Sequence, residues 1–197
     1  MKRIKKIAVL AGISRSEREI SLKTAKAILK SLKKMRKKAV LIDVARKDFL
    51  KRLLRFKPDL CYIACHGGLG ENGCLQGFCE ILGLPYTSSG VLASSICMNK
   101  IISKTIFEFL KIDTAPWSVI KKGEKISFEK FKKKIPFIVK PANEGSTVGV
   151  TIVKKASQIK KALKKAFKYG NEVLIEKYIQ GRGIYSWLAC RKNSPST

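Results

Sequence analysis

The chain has 197 residues, 45% of them hydrophobic, which is enough for one large domain or two small ones. No apolar run reaches 18 residues, so we expect no transmembrane helix, and we expect no secretory signal behind the short basic start. The formal charge of +28 would suit a polyanionic partner. Because the lysines recur on the polar faces of predicted helices, we instead expect solvated charge and no specific nucleic-acid partner.

The first half of the chain alternates apolar runs with a helical pattern. Strands are predicted at residues 7–10, 39–43 and 59–65. After the first strand, one helical stripe recurs at steps of three and four residues and is expected to face a core: Leu22, Ala25, Leu29, Leu32 and Met35. Alternating strands and helices predict a parallel sheet, whose carboxyl edge would carry two polar loops, residues 12–19 and 66–73.

Two further helices are predicted before the pattern changes to a smaller α+β unit. Helices are predicted at residues 75–82 and 91–110, the latter broken near Met98. From about residue 114, strands are predicted at 117–120, 137–140, 148–152 and 172–176, and a helix at 156–169. The end of the chain begins like a strand at residues 184–188 and then becomes polar, so the sequence looks cut off there.

Six cysteines occur without a CxxC pair. Cys61 and Cys65 lie in an apolar stretch and are interpreted as small buried hydrophobic residues, with His66 beside them. A zinc site built from these residues is an alternative, although structural zinc normally takes four closely organised ligands. Reduced thiols fit a cytoplasmic protein, which is the localisation we expect.

The segment most informative about chemistry is a strand, a glycine-bounded polar loop and a second strand, at residues 138–150. Such a loop can present backbone N–H groups and the hydroxyls of Ser146 and Thr147 to anionic oxygens. Lys140, at the loop end of its strand, can add a positive charge. The pattern alone is equally typical of an ordinary hairpin.

Residues 140–150 resemble the phosphate loop of the ATP-grasp fold. Three further stretches resemble the D-alanine–D-alanine ligase family: residues 7–21 with their Glu17-Arg18-Glu19 segment, residues 66–77, and residues 85–100. The resemblance implies an α/β fold whose N-terminal, Rossmann-like parallel-sheet domain, the pre-ATP-grasp domain, spans residues 1–97. A small α+β ATP-grasp subdomain would follow at residues 98–180, and residues 181–197 would begin an incomplete C-terminal domain.

The same resemblance implies roles for individual residues. Lys100 and Lys140 match lysines that contact ATP phosphates, with Ser146 and Thr147 in the loop between the strands. Three residues match the hinge segment that holds adenine: Glu176, Tyr178 and Ile179. Glu17 matches a carboxylate that fixes the first D-alanine, and Ser146 belongs to the same catalytic group. His66 matches a histidine of the first-substrate pocket, although a histidine that merely caps a strand end is the alternative.

By resemblance, ATP phosphorylates the carboxylate of one D-alanine, and the amine of a second D-alanine attacks the acyl phosphate, for peptidoglycan precursor synthesis. The Mg²⁺ ligands are expected in the largely absent third domain, so no metal ligand is assigned in this chain. Gly183 stands where the family usually has a glutamate that contacts the ribose, which predicts weaker nucleotide binding. We expect a homodimer, with no membrane association, and little or no catalysis by these 197 residues alone.

Two alternatives stay open. One is another ATP-grasp carboxylate–amine ligase with a different acid or acceptor, because the acceptor is chosen largely by residues that this chain lacks. The other, from a different class, is a basic nucleic-acid-binding module, which the 42 lysines and arginines alone would support.

Overall fold

Two β-sheets flanked by helices make up the protein, in a computed structural model that describes residues 4–14 and 17–181. The first sheet has three strands, β1 (Lys6–Ala11), β2 (Lys38–Asp43) and β3 (Leu60–Ile63), in the order β2-β1-β3. Both neighbouring strands pair with β1 in parallel, as the alternating sequence pattern predicted. A parallel bridge from Cys61 to Tyr86 places the segment that follows α3 (Cys74–Ile81) along the open edge of β3.

Helices cover both faces of this sheet, which is why β1 is almost entirely buried. On one face, Val9 and Ala11 pack with Ala25 of helix α1 (Arg18–Lys34). On the other, Ala8 and Leu10 pack with residues of α2 (Phe49–Phe56) and α3 (Cys74–Ile81). The predicted stripe of α1 was wrong at its end: Met35 lies just after the helix and is 65% exposed.

A break at Asn99 separates helices α4 (Val91–Met98) and α5 (Lys100–Phe109), which confirms the predicted interruption near Met98. The backbone of Asn99 is extended, and its side-chain Oδ1 accepts hydrogen bonds from the N–H groups of Ile101 at 3.0 Å and Ile102 at 3.1 Å. These N–H groups have no partner inside the helix. Asn99 therefore fixes where α5 begins, and with it the position of Lys100.

Replacing Asn99 with alanine is expected to lower the free energy of unfolding by about 1 kcal/mol, because two helix-end donors lose their acceptor. Urea denaturation followed by circular dichroism measures the change. An unchanged or higher unfolding midpoint would contradict the assigned cap, since alanine would then favour a continuous helix across the break.

The second sheet has four antiparallel strands in the order β4-β7-β5-β6. Their bounds are β4 (Trp117–Lys121), β5 (Phe137–Pro141), β6 (Thr151–Val153) and β7 (Glu172–Lys177). One face is apolar and packs on helix α7 (Ile159–Ala166), with Phe137, Val139 and Ile175 at its centre. The short helix α6 (Phe128–Lys132) lies beside this core. Side chains alternate across a strand, so Lys140 and Glu176 lie on the opposite face.

Two predicted elements of this half were wrong in extent. The strand predicted at 148–152 begins only at Thr151, because Gly149 has φ +71° and lies against Pro141 and the ring of Tyr169. The helix predicted at 156–169 is a 3-10 turn at Ala156–Gln158 followed by α7. The predicted strand at 184–188 and the interpretation of Gly183 lie outside the described residues. In the part of the chain that the structure describes, no helix is both long and apolar enough to cross a bilayer.

Candidate functional site

A cleft of about 710 Å³ opens where the carboxyl ends of the parallel strands meet the glycine-bounded loop of the second sheet. Three predicted site residues line it, His66, Lys100 and Ser146, together with Gly145, which precedes Ser146. They come from three separate parts of the chain, the loop after β3, the start of α5 and the loop after β5. The fold therefore converges these segments on one cavity.

Glu17 lies at the meeting point of two of these loops. A β-carbon built on Gly67 would stand 2.1 Å from Oε2 of Glu17, and one built on Gly145 would stand 3.1 Å from the same oxygen. Gly67 has φ +69°, which favours glycine, and the missing side chain leaves room for the carboxylate. Gly145 is the neighbour of Ser146, so Glu17 and the loop that carries Ser146 are adjacent.

Buried Ser21 ties together the two loops at the edge of the parallel sheet. Its hydroxyl accepts a hydrogen bond from the N–H of Gly12 at 2.9 Å and donates to the carbonyl of Ala64 at 2.8 Å. Both contacts are buried, and a buried polar group that is fully paired holds its geometry. Ser21 therefore fixes the start of α1, where Glu17 stands, against the end of β3.

An ion pair beside Glu17 also holds this loop. The guanidinium of Arg18 contacts both carboxylate oxygens of Asp43 and donates to the carbonyl of Gly12. The hydrogen bond from Arg18 is the main reason that the pKa of Asp43 lies below its ordinary value of 3.8, with burial opposing it. Asp43 ends β2, so the pair fastens the first turn of α1 to the edge of the sheet.

Asp43→Asn is expected to remove a pH-dependent part of the stability. Because the folded pKa of Asp43 is lowered, the unfolded chain binds the proton first as the pH falls, and the free energy of unfolding decreases. The difference in unfolding free energy between wild type and Asp43→Asn is therefore expected to be largest well above pH 3.8 and to shrink below it. Urea titrations at a series of pH values measure it, and a difference that stays constant would contradict the pair.

His66 follows β3 and reaches into the cleft between two polar groups. Its Nε2 lies 3.1 Å from the hydroxyl of Thr24, and its Nδ1 lies 4.0 Å from Oε1 of Glu71. The second oxygen of Glu71 accepts from the N–H of Gly67 at 2.7 Å. His66 is thus oriented by the protein as well as exposed to the cavity, which suits either a ligand contact or a strand-end role.

Lys100 contacts the glycine-bounded loop after β5 through both its backbone and its side chain. Its N–H donates to the carbonyl of Ala142 at 3.0 Å, and its ammonium donates to the carbonyl of Glu144. The first contact lies at the end of β5, two residues after Lys140. The beginning of α5 and the end of β5 are therefore joined, and the two lysines stand on the same side of the molecule.

The charges around these lysines influence one another. Burial, followed by the neighbouring charge of Lys140, lowers the pKa of Lys100, and Glu144 and Glu176 offset this in part. Such mutual repulsion between two ammonium groups is relieved when an anion lies between them. The electrostatics therefore favour an anionic ligand at this position.

Glu176 is the centre of a buried charge cluster on the polar face of the second sheet. Its Oε2 pairs with Lys140 and its Oε1 with Lys104 of α5. Burial favours the neutral carboxyl, but the hydrogen bonds from Lys104 and Lys140 outweigh it, so the pKa of Glu176 lies below its ordinary value. Glu176 is therefore a carboxylate in the folded protein at neutral pH.

Of the residues predicted to hold adenine, Glu176 lies within β7, whereas Tyr178 and Ile179 follow the strand. Tyr178 lines a separate cavity of about 440 Å³ with Trp117 and Pro136. The N–H of Tyr178 donates to the carbonyl of Pro136 at 3.3 Å, and that of Lys177 donates to the carbonyl of Pro116 at 2.8 Å. The N–H groups of Lys177 and Tyr178 are thus already paired inside the protein. Ile179 is 65% exposed.

The structure therefore groups the predicted residues into two adjoining sets. His66 and Ser146 line the cleft, and Glu17 lies beside Gly67 and Gly145. Lys140 and Glu176 form the charge cluster, and Lys100 lines the cleft and also interacts electrostatically with this cluster. Thr147 is exposed in the same loop. Tyr178 and Ile179 lie beyond the C-terminal end of β7, next to the beginning of β5, whereas Lys140 lies at the other end of β5.

Sequence reasoning missed Lys104, which is buried although it is a lysine. The available signal was its spacing, because it stands four residues after Lys100 and so shares a helix face with it. Cys61 and Cys65 are buried hydrophobic residues, as predicted. Among residues 4–14 and 17–181, no three histidine, cysteine, aspartate or glutamate side chains are grouped so as to hold a metal.

Comparison with known proteins places this arrangement in one class. A family model described as the D-ala D-ala ligase C-terminus matches residues 105–189. The structure of the D-alanine–D-alanine ligase from Bacillus anthracis complexed with ATP covers 90% of this chain, with a TM-score of 0.78 and 35% identity, and the chain covers 60% of that structure. A second structure of the D-alanine–D-alanine ligase from Bacillus anthracis gives a TM-score of 0.79 at 37% identity, covering 90% of this chain and 58% of that structure. The fold is thus that of the ATP-grasp class.

Curated sequences narrow the class to one family. The D-alanine–D-alanine ligase of Citrifermentans bemidjiense is 47% identical over 180 residues, which are 91% of this chain and 58% of the relative. That of Geotalea uraniireducens is 45% identical over the same shares. The chain belongs to the D-alanine–D-alanine ligase family, and it spans somewhat less than three fifths of the length of these relatives.

Proposed function

We propose that this chain forms the nucleotide-phosphate site and the first-substrate pocket of an ATP-dependent D-alanine–D-alanine ligase. The observation that carries the proposal is the position of Lys100, whose backbone and side chain both contact the loop after β5, with Lys140 close enough to lower its pKa. Two mutually repelling ammonium groups beside exposed loop hydroxyls are a site for a polyphosphate.

In this proposal the phosphates lie between Lys100 and Lys140, under the loop that carries Ser146 and Thr147. The loop is flexible enough to close because Gly145 and Gly149 bound it, while Gly149 is held at its base by Pro141 and Tyr169. Backbone N–H groups and hydroxyls then face the anionic oxygens, and a closed loop excludes water.

Adenine is proposed to bind along the hinge after β7. Tyr178 would supply an apolar wall, and the N–H of Ile179 an edge donor, because the N–H groups of Lys177 and Tyr178 already have partners. Glu176 would accept from a donor of the base, since it stays ionised in the folded protein. The D-alanine–D-alanine ligase from Bacillus anthracis, whose structure with ATP has a TM-score of 0.78 to this chain, supports a nucleotide site in this fold.

The first D-alanine is proposed to bind in the cleft, with its ammonium near Glu17 and its pocket lined by His66. A carboxylate that lies between the Gly67 and Gly145 backbones, next to Ser146, is positioned to hold a cation at the entrance of the phosphate loop. Glu17 and Ser146 would then act together on the substrate whose carboxylate receives the phosphoryl group.

The chemistry that ATP would supply in such a ligase is phosphorylation of the D-alanine carboxylate, with ADP as the leaving group. The amine of a second D-alanine would then attack the acyl phosphate and release inorganic phosphate. The contribution of this chain's residues is electrostatic: the lysines offset phosphate charge, and the loop orients the phosphates and keeps water out. Mg²⁺, a cytoplasmic location, a homodimer and a role in peptidoglycan precursor synthesis are further parts of the proposal, taken from the family. So is the division into residues 1–97, 98–180 and 181–197.

Isothermal titration of ATP into the chain tests the nucleotide part. Saturable one-to-one binding, abolished by excess tripolyphosphate, supports the proposal, and no measurable binding at millimolar ATP would contradict it. A salt titration of binding to random duplex DNA checks the nucleic-acid alternative. A steep slope with tight binding at moderate salt would favour that alternative, whereas weak and shallow binding favours the ligase.

A further inference from the structure

Lys104 is a buried lysine that the proposed nucleotide site does not use directly. Its side chain is 8% exposed, and it stands on α5 one turn after Lys100. Besides Glu176, its ammonium contacts the hydroxyl of Thr114 at 2.6 Å and the carbonyl of Ala115 at 2.9 Å. An ammonium has three donors, so all three have partners here.

Lys104 and Lys140, the two lysines paired with Glu176, differ in their other contacts and in their exposure. Lys104 is saturated and enclosed, whereas Lys140 is 21% exposed and ends on the loop side of β5, beside Lys100. A buried carboxylate requires a cation, and leaving it unpaired is strongly unfavourable. Glu176 therefore needs at least one of the two amines at all times.

We infer that Lys104 is a positioning residue that neutralises Glu176, so that Lys140 is free to exchange the carboxylate for a phosphate oxygen. The inference rests on the proposed nucleotide site and assigns a role that the phosphate-contacting lysines do not explain. Without Lys104, Lys140 would be the one amine among the described residues that is still paired directly with Glu176. Phosphate binding would then have to break a buried ion pair.

A purely structural role for Lys104 is the competing explanation, because its contacts with Thr114 and Ala115 hold the segment before β4. The two roles differ in their dependence on Glu176. If Lys104 acts by neutralising the carboxylate, removing the negative charge of Glu176 makes Lys104 dispensable for phosphate binding. If Lys104 only holds the segment, removing that charge repairs nothing.

The experiment is a double-mutant cycle on the full 197-residue chain, with sodium tripolyphosphate as the probe and titration calorimetry as the readout. Lys104→Gln is expected to weaken tripolyphosphate binding about 10-fold. Adding Glu176→Gln in that background is expected to restore binding to within about threefold of wild type, since Lys140 is released. In the wild-type background, Glu176→Gln should tighten binding by at most about threefold, because Lys104 already satisfies the carboxylate.

The outcomes separate the inference from the proposed function. No binding of tripolyphosphate by wild type would overturn the nucleotide site and the inference with it. Wild-type binding that Lys104→Gln leaves unchanged, or weakens without rescue by Glu176→Gln, would overturn only the inference. Cooperative thermal unfolding checks that each variant folds. If Lys104→Gln does not fold, Glu176→Gln alone still decides, because tightening of about 10-fold would show that Lys104 does not neutralise it.

Discussion

Lys100→Met is expected to weaken ATP binding by about 10- to 100-fold, the largest single effect that we predict at the site. A hydrogen bond between charged groups contributes about 1.5–3 kcal/mol, and each 1.4 kcal/mol is about 10-fold in affinity. Lys100 is the amine that contacts the loop through both its backbone and its side chain, so methionine removes the charge and keeps most of the buried stem. Titration calorimetry with ATP measures the change.

Lys161→Met is the matched control, because Lys161 is an exposed lysine on α7, on the far side of the second sheet. Both variants remove one positive charge from the same strongly basic chain, so their net charges are equal. We expect at most about a twofold change, since exposed charges contribute little and are screened by salt. Equal losses in the two variants would mean that ATP binds through diffuse positive charge, which would contradict a specific phosphate site.

Gly67→Ala is expected to lower the free energy of unfolding by about 1–3 kcal/mol and to displace the Glu17 carboxylate. Gly67 combines φ +69° with ψ 166°, a backbone conformation that is essentially limited to glycine. The added methyl group would also stand 2.1 Å from Oε2 of Glu17, so the side chain has to move away from the cleft. Urea denaturation measures the first effect, and the affinity for D-alanine measures the second.

Gly68→Ala separates backbone strain from the loss of space. Gly68 also has a positive φ, of +51°, but an added β-carbon would meet nothing within 4 Å. We expect it to destabilise the protein by about 1 kcal/mol and to leave the position of Glu17 unaltered. If Gly68→Ala lowers stability and D-alanine affinity as much as Gly67→Ala does, the effect of Gly67→Ala does not come from a clash with Glu17.

The sequence predicted well those helices and strands that are buried either along one face or entirely. The apolar run of β1 and the stripe of α1 specify their own faces, and the break at Asn99 follows from a residue that caps helices well. Helix α2 was not predicted, although Leu53 is fully buried and Phe49 and Phe56 flank it at helical steps. Its basic surroundings and its length of eight residues hide that pattern.

Site residues could be predicted from the sequence where they lie in segments that resemble a known family. They could not be predicted where their position depends on contacts with distant parts of the chain. The loop after β5 and the positions of Lys100 and Lys140 follow from the family resemblance, and the structure brings them together. The loop ends later than predicted, just before Thr151, because Pro141 and Tyr169 contact Gly149 across the fold. Lys104 escaped attention because one more lysine in a chain with 42 basic residues looks like surface charge until its partners are known.

The most direct measurement is a crystal structure of this chain with a non-hydrolysable ATP analogue. The phosphate oxygens are expected within about 3.2 Å of Nζ of both Lys100 and Lys140, with the loop around Ser146 closed over them. A complex in which the triphosphate contacts neither amine, or lies on the opposite face of the second sheet, would contradict the nucleotide site on which the proposed function depends.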